Sequence, residues 1–500
     1  MPTSSIAKLA EIRAGAGPRV TIGLSDAAIA AFLSTDPALG SAIADAHAAW
    51  LVLRQTYASA LALDERELGR WIQGDLLPFY GPDAVNPYVP IGARGPWIVT
   101  SHGGVVHDSG GYGMLGFGHG PQPVIDTMSH PWVMANLMTP SFSQKRFLEA
   151  IEREVGHTRG GCPFAQFVCM NSGSEANSVA LRITDALARR MTDPGGAQAG
   201  KRVKLLAIQG GFHGRTDRPA QASHSSYPTY QKSLRTFRDH DYLTVVPSND
   251  VAALRQAFAD AERDGVWFEA MLLEPVMGEG DPGVATTRAF YDEARKLTKA
   301  SGTVLLVDSI QAGLRAHGVL SVVDYPGFTD AEPPDMEVYS KAINAAQYPL
   351  SVLALTASAG ALYRAGLYGN TMTTNPRALE IATTVMGLIT PALRQNIHDR
   401  GVELLTRLTA VAAEFHPLTT GAQGTGLLLA LEIDPAHAKV TGFGGVEEAC
   451  RLRGMGVIHG GVNALRFTPH FGITSAEIDL MIDVLRSTLA TFASAAAVAK

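Results

Sequence analysis

The feature that most constrains the fold is a series of short apolar runs through the middle of the chain. They lie at 167–170, 203–208, 270–273, 304–307 and 352–355, separated by helix-compatible segments. Short apolar runs read as strands buried on both faces, and their alternation with helical segments builds a mostly parallel sheet covered by helices. The expected class is therefore α/β.

One run carries chemistry. Val304-Leu-Leu-Val leads straight into Asp308, and Gln311 follows. Ligands of open α/β sheets gather outside the C-terminal ends of the strands. Downstream, a β-like run at 336–339 leads into Ser340-Lys341-Ala342. A lysine and an aspartate on neighbouring strand ends suit pyridoxal phosphate, with Lys341 forming the Schiff base and Asp308 pairing with the pyridinium nitrogen. Taken alone, the two segments fit a surface lysine and a helix-capping aspartate equally well.

A chain of 500 residues exceeds one small core, so two or three lobes are expected. A net charge of −6 argues against nucleic acid or an anionic membrane as the main partner. Cys162, Cys169 and Cys450 make neither a disulfide framework nor a metal-ligand spacing, so no metal is expected and a reducing, cytoplasmic compartment is. Cys169, inside an apolar run, reads as a core thiol. The N-terminus has no apolar signal core, and no run is long enough for a membrane span.

Three segments are expected: a helical extension over 1–95, a large domain over 96–375 and a smaller α+β domain over 376–500. Ser25 and the acids at 64–67 mark helix starts in the first. Gly111, Gly113 and Gly116 match G-x-G-x-x-G, but no long apolar strand precedes them and Pro121 and Pro123 follow. A glycine-rich turn is favoured there over a dinucleotide fingerprint.

Three further stretches follow strand-like runs. Asn171-Ser-Gly-Ser-Glu-Ala-Asn177 opens a helical pattern, a ready phosphate cradle or an ordinary capping turn. In Gly210-Gly-Phe-His-Gly-Arg-Thr216, Phe212 suits stacking on a flat heterocycle and Arg215 a two-pronged grip on a carboxylate, or an internal salt bridge. Glu274 and Glu279 suit acid/base work, or partnership with arginines.

These motifs, with Asp-Ser-Ile-Gln-Ala-Gly (308–313), Gly-Asn-Thr-Met-Thr-Thr-Asn-Pro (369–376) and Leu-Arg-Phe-Thr-Pro (465–469), occur in one order. The set resembles the class III, or ω-type, aminotransferases of pyridoxal phosphate fold type I, over about residues 100 to 490. The resemblance implies that Lys341 attaches the cofactor and moves the substrate proton, Asp308 keeps the ring nitrogen protonated, and Gln311 bonds the ring hydroxyl. It implies phosphate binding by Ser172, Gly173 and Ser174, with Thr371 of a partner subunit, and hence a homodimer. Phe212 would stack on the ring, and His213 and Glu274 complete the cofactor set. Arg215, Tyr112 and the pair Glu279 and Arg466 would face the substrates, an amine or amino acid and a keto acid such as pyruvate or 2-oxoglutarate.

Relatives usually have glutamate where this chain has Ser309. They have Gly-Gly-Gly or similar where it has Ile343-Asn-Ala-Ala-Gln347, and Gly-Gly where it has Thr373-Thr374. These departures keep a second reading in view, a racemase, aminomutase, decarboxylase or phospho-lyase on the same fold. An NAD-binding protein is the third, resting on the glycine pattern alone.

Overall fold

The computed structural model describes residues 2–110, 113–239 and 241–498. They form two compact units, one of residues 1–122, 399–423 and 429–500, the other of 123–398 and 424–428. The expected three-segment division follows the order of sequence patterns, whereas these units are groups of contacting residues.

The first unit opens with the expected helices, Pro2–Gly15, Asp26–Leu33, Pro37–Thr56, Ala58–Leu61 and Glu65–Gln73. Ser25 caps the second by accepting from the Ala28 amide, and Asp64 with Glu67 forms a capping box on the last. An antiparallel meander follows, β1 (Pro90–Arg94), β2 (Trp97–Thr100) and β3 (Val105–Asp108). So a short strand does precede the glycine pattern, but it belongs to a meander, not to a βαβ unit. Leu39, Ala42, Ile43 and Ala46 on one helix face share a core with Trp97, Val99 and Val105. Buried Glu65 accepts from the amides of Val20 and Thr21 and from the Thr100 hydroxyl.

The second unit holds a seven-stranded sheet of β4 (Gln166–Met170), β5 (Arg202–Ile208), β6 (Leu243–Val246), β7 (Val266–Leu273), β8 (Val304–Asp308), β9 (Met336–Tyr339) and β10 (Ser351–Leu355), ordered β4-β10-β9-β8-β7-β5-β6. The five strands from β6 to β9 pair in parallel, whereas β10 runs antiparallel to both β9 and β4. The edge strand β6 escapes sequence reading because only Val246 of its four residues is buried. Val179, Ala180 and Ile183 of the helix Gly173–Thr192 pack on Leu205, Leu272, Leu306 and Leu353 of the sheet. The helical pattern beyond 376 is two helices, Pro376–Gly387 and Pro391–Glu414, since Pro391 can only start one.

The C-terminal strands are β11 (Thr419–Thr425), β12 (Leu428–Ile433), β13 (Met455–Gly456), β14 (Ile458–Gly460) and β15 (Ala464–Phe467). Four of them form a sheet ordered β11-β12-β15-β14, while β13 joins the first meander in parallel with β3. A helix at Ser475–Val498 closes the description. Among the described residues no single helix is long and apolar enough to cross a membrane.

Candidate active site

β8 delivers Asp308 at its C-terminal end, only 3% exposed. A carboxylate that deep needs donors. Asn177 Nδ2 supplies one at 2.8 Å from the second turn of the helix Gly173–Thr192, and His213 Nδ1 another at 3.0 Å from the loop after β5. The Ile310 amide donates to the other oxygen at 3.1 Å. Around this centre three buried atoms have no hydrogen-bond partner among the described residues: His213 Nε2, Asn177 Oδ1 and Gln311 Oε1. Gln311 packs on the bare Cα of Gly278, where a Cβ would come within 2.6 Å of its side chain.

The adjacent strand β9 lies parallel to β8, with Asp308 opposite Val338. It ends at Tyr339, and half-buried Lys341 starts the turn that follows. Among the described residues six non-glycine positions have positive φ, and Lys341 (46°), Ala345 (51°) and Ala346 (56°) are three of them. Each left-handed residue with a Cβ costs roughly 1–2 kcal/mol, and such strain gathers at functional sites. A fourth, Thr374 (60°), lies in the other departure from the family pattern. The missing glycines therefore fall where the backbone would favour them.

The helix Gly173–Thr192 points its N-terminus at the same strand ends. Ser172 caps it by accepting from the Glu175 amide, and Gly173 lies so close to Ile310 that a Cβ would meet it at 2.5 Å. Ser174 Oγ accepts from the Arg215 amide at 3.2 Å, with Gly214 (φ 123°) packed against it. Glu175 binds Tyr368 and Asn370, each at 2.8 Å, which ties the segment leading to exposed Thr371 to this turn. Burial raises the Glu175 carboxyl, but these and backbone hydrogen bonds outweigh it and hold the group below its ordinary value.

The Arg215 guanidinium sits 5.2 Å from the centre of the Phe212 ring. Buried Glu274 accepts from the amides of Phe212 and Gly278, both at 2.9 Å, so it staples two loops together rather than partnering an arginine. Burial pushes its carboxyl up to about 7. Glu279 is half-buried in the loop after β7. Arg466 belongs to the first unit, 3% exposed on β15 between Ala430 and Ile458. Tyr112 and Gly111 lie outside the described residues. Cys169 is a core thiol, pushed up to about 12 by burial.

Two site residues escaped sequence reading. Asn177 is four positions beyond Gly173, on the same helix face, and that spacing was its signal. Glu337 is the acid inside the apolar run of β9. It accepts from Ser309 Oγ at 2.5 Å, Val322 N at 2.9 Å, Tyr339 OH at 2.9 Å and the Ser321 hydroxyl. Burial outweighs these donors and pushes it up to about 7. Ser309, where relatives carry glutamate, thus binds a carboxylate that the next strand provides.

Comparison with known proteins gives one consistent result. The family model for class III aminotransferases matches residues 80–489. An acetylornithine aminotransferase of Xanthomonas campestris pv. campestris is 28% identical over 395 residues, covering 77% of this chain and 88% of that protein. An ornithine aminotransferase 2 of Staphylococcus saprophyticus is 26% identical, covering 80% and 94%. The crystal structure of the ornithine aminotransferase of Toxoplasma gondii superposes with a TM-score of 0.74 at 21% identity, covering 88% of this chain and 98% of that one.

Proposed function

The chain belongs to the class III aminotransferase family, and from that premise we propose that it transfers an amino group from an amine or amino acid to a keto acid, using pyridoxal phosphate held at the ends of β8 and β9. The observation that carries this reading is the register of those strands, which sets Asp308 opposite Val338, three residues before Lys341.

The residues present fit that cofactor. Gly173 at a helix N-terminus leaves backbone N–H groups open to a phosphate, and the hydroxyls of Ser172 and Ser174 flank it. Asp308 supplies a fixed carboxylate for a protonated ring nitrogen, and Gln311 Oε1 is a buried acceptor with no hydrogen-bond partner among the described residues. When bound, the cofactor supplies the aldehyde that takes up an amino group and a ring that withdraws electrons from the substrate carbon.

The protein's part is then positional and acid–base. Lys341 would attach the cofactor, and its amine would be the group that moves the substrate proton. Asn177 and His213 hold Asp308 in place. Phe212 covers the ring, and Glu274 fixes Phe212 through its amide. Arg215, Glu279, Arg466 and Tyr112 are assigned to the substrates, with Glu279 and Arg466 sorting those with a second carboxylate from those without. The named relatives make ornithine-type donors the first to try. Thr371 is assigned to the phosphate of a partner subunit, which makes a homodimer the working unit. The free cysteines suit a cytoplasmic setting.

The test is a single-turnover absorbance titration of purified protein with a panel of amines and amino acids, without keto acid. Conversion of the lysine-linked cofactor to its amine form supports the reading and ranks the donors. Product formation without that conversion would replace transfer by isomerisation or elimination on the same fold.

A further inference from the structure

The first unit gathers three potential metal ligands from distant parts of the sequence. His107 lies in β3, His470 three residues beyond β15, and Glu477 in the first turn of the helix Ser475–Val498. His107 Nε2 is 3.2 Å from Glu477 Oε1 and His470 Nε2 is 2.8 Å from the same oxygen. All three ligand atoms lie within 4.8 Å of one another. His107 and Glu477 are buried, and His470 is partly open to solvent.

We propose that His107, His470 and Glu477 form a site for a borderline divalent cation such as zinc, with water in the fourth position. Two imidazoles and a carboxylate suit zinc, whose tetrahedral donors at about 2.0–2.1 Å from the metal sit roughly 3.3 Å apart. The two imidazole–carboxylate separations, 3.2 and 2.8 Å, fall slightly short of that, so the carboxylate has to draw back a few tenths of an ångström.

The surroundings orient two of the three donors, His107 and Glu477, as metal sites require. His107 Nδ1 is 2.8 Å from Ser109 Oγ, an acceptor for the ring proton that metal binding at Nε2 moves to Nδ1, and the ring stands edge-on to Trp97. Glu477 Oε2 is occupied by the amide and hydroxyl of Thr474, at 2.8 and 2.7 Å, which leaves Oε1 to face the imidazoles. Magnesium and calcium prefer all-oxygen sites and are disfavoured here.

A bound ion fastens β3 to the segment after β15 and to the C-terminal helix. The same segments already meet where Thr468 N donates to Ser109 O at 3.0 Å. The proposal uses none of the residues assigned to the cofactor, so its failure would leave the aminotransferase reading untouched, and the reverse.

The experiment is calorimetric titration of the chelator-treated, desalted holoenzyme with zinc chloride, with magnesium chloride as control and melting temperature as second readout. The expected result is one zinc per chain and a zinc-dependent rise in Tm, neither produced by magnesium. His470→Ala, at a partly exposed position, abolishes both, and Glu477→Gln weakens them while keeping the Thr474 contacts. Ser109→Ala, which touches no ligand atom, lowers affinity by about tenfold. Absence of stoichiometric zinc binding, or binding unchanged in both His470→Ala and Glu477→Gln, overturns the proposal.

Discussion

β8 and β9 run side by side and end in opposite manners. β8 ends relaxed: Asp308 has three hydrogen bonds and a backbone outside the left-handed region. β9 ends strained: Lys341, Ala345 and Ala346 all sit at positive φ within six residues. The difference matches what each end has to do. A group whose work is a fixed polarity is best held by many donors. A group that must leave one partner and reach another is better placed at the start of a short, strained 3-10 turn. Glu337 and Ser309 bridge the two ends.

The largest expected effect breaks the comparison at its strained side. Lys341→Ala should lower turnover by about ten-thousandfold or more and abolish the absorbance of the lysine-linked cofactor. Near-normal turnover in that variant would remove Lys341 from the chemistry. On the relaxed side, Asp308→Asn should cost about a hundred- to a thousandfold in kcat, while Glu337→Gln, equally buried one strand away, changes kcat little. Equal losses would show that both acids serve only to pack the strand ends.

Stability against pH sharpens the same contrast. Glu337 and Glu274 are both pushed up to about 7 in the folded chain, from an ordinary 4.5. Between those values the folded chain binds more protons than the unfolded one, so their contribution is complete below 4.5 and is lost as pH rises through 7. Glu337→Gln should flatten that fall by up to about 1 kcal/mol per pH unit, measured by urea unfolding from pH 5 to 8. A steeper fall in the variant would reverse the assignment. The smallest effect is a gain. Ala345→Gly and Ala346→Gly should each raise stability by about 0.5–1 kcal/mol, the relief of left-handed strain less the entropy of glycine. Loss of stability at both positions would mean that the strain is not there.

Much of this was legible in the chain. The runs at 167–170, 203–208, 270–273, 304–307 and 352–355 are all strands, because a strand buried on both faces leaves an unbroken apolar signature. What the runs hid was direction. β10 looks like its neighbours in composition and differs only in running antiparallel. The meander β1–β3 was missed because its strands have only four or five residues and follow a stretch rich in proline and glycine. Asp308 and Lys341 were found because each follows an apolar run, and His213 through its motif, whereas Asn177 reaches Asp308 from 131 positions away in sequence. His107, His470 and Glu477 show the limit most plainly, since 370 positions of sequence separate the ends of one short contact.

The shared core of Leu39, Ile43, Trp97 and Val105 has a consequence for how such a chain can be cut and recombined. The family match begins at residue 80, yet that core straddles the boundary, and Glu65 on one side caps amides and a hydroxyl drawn from both. The helices before residue 80 are thus no detachable appendage. A gene shuffled or trimmed at the edge of the recognisable family would strip the cover from Trp97, so the unit of inheritance here is larger than the unit of resemblance.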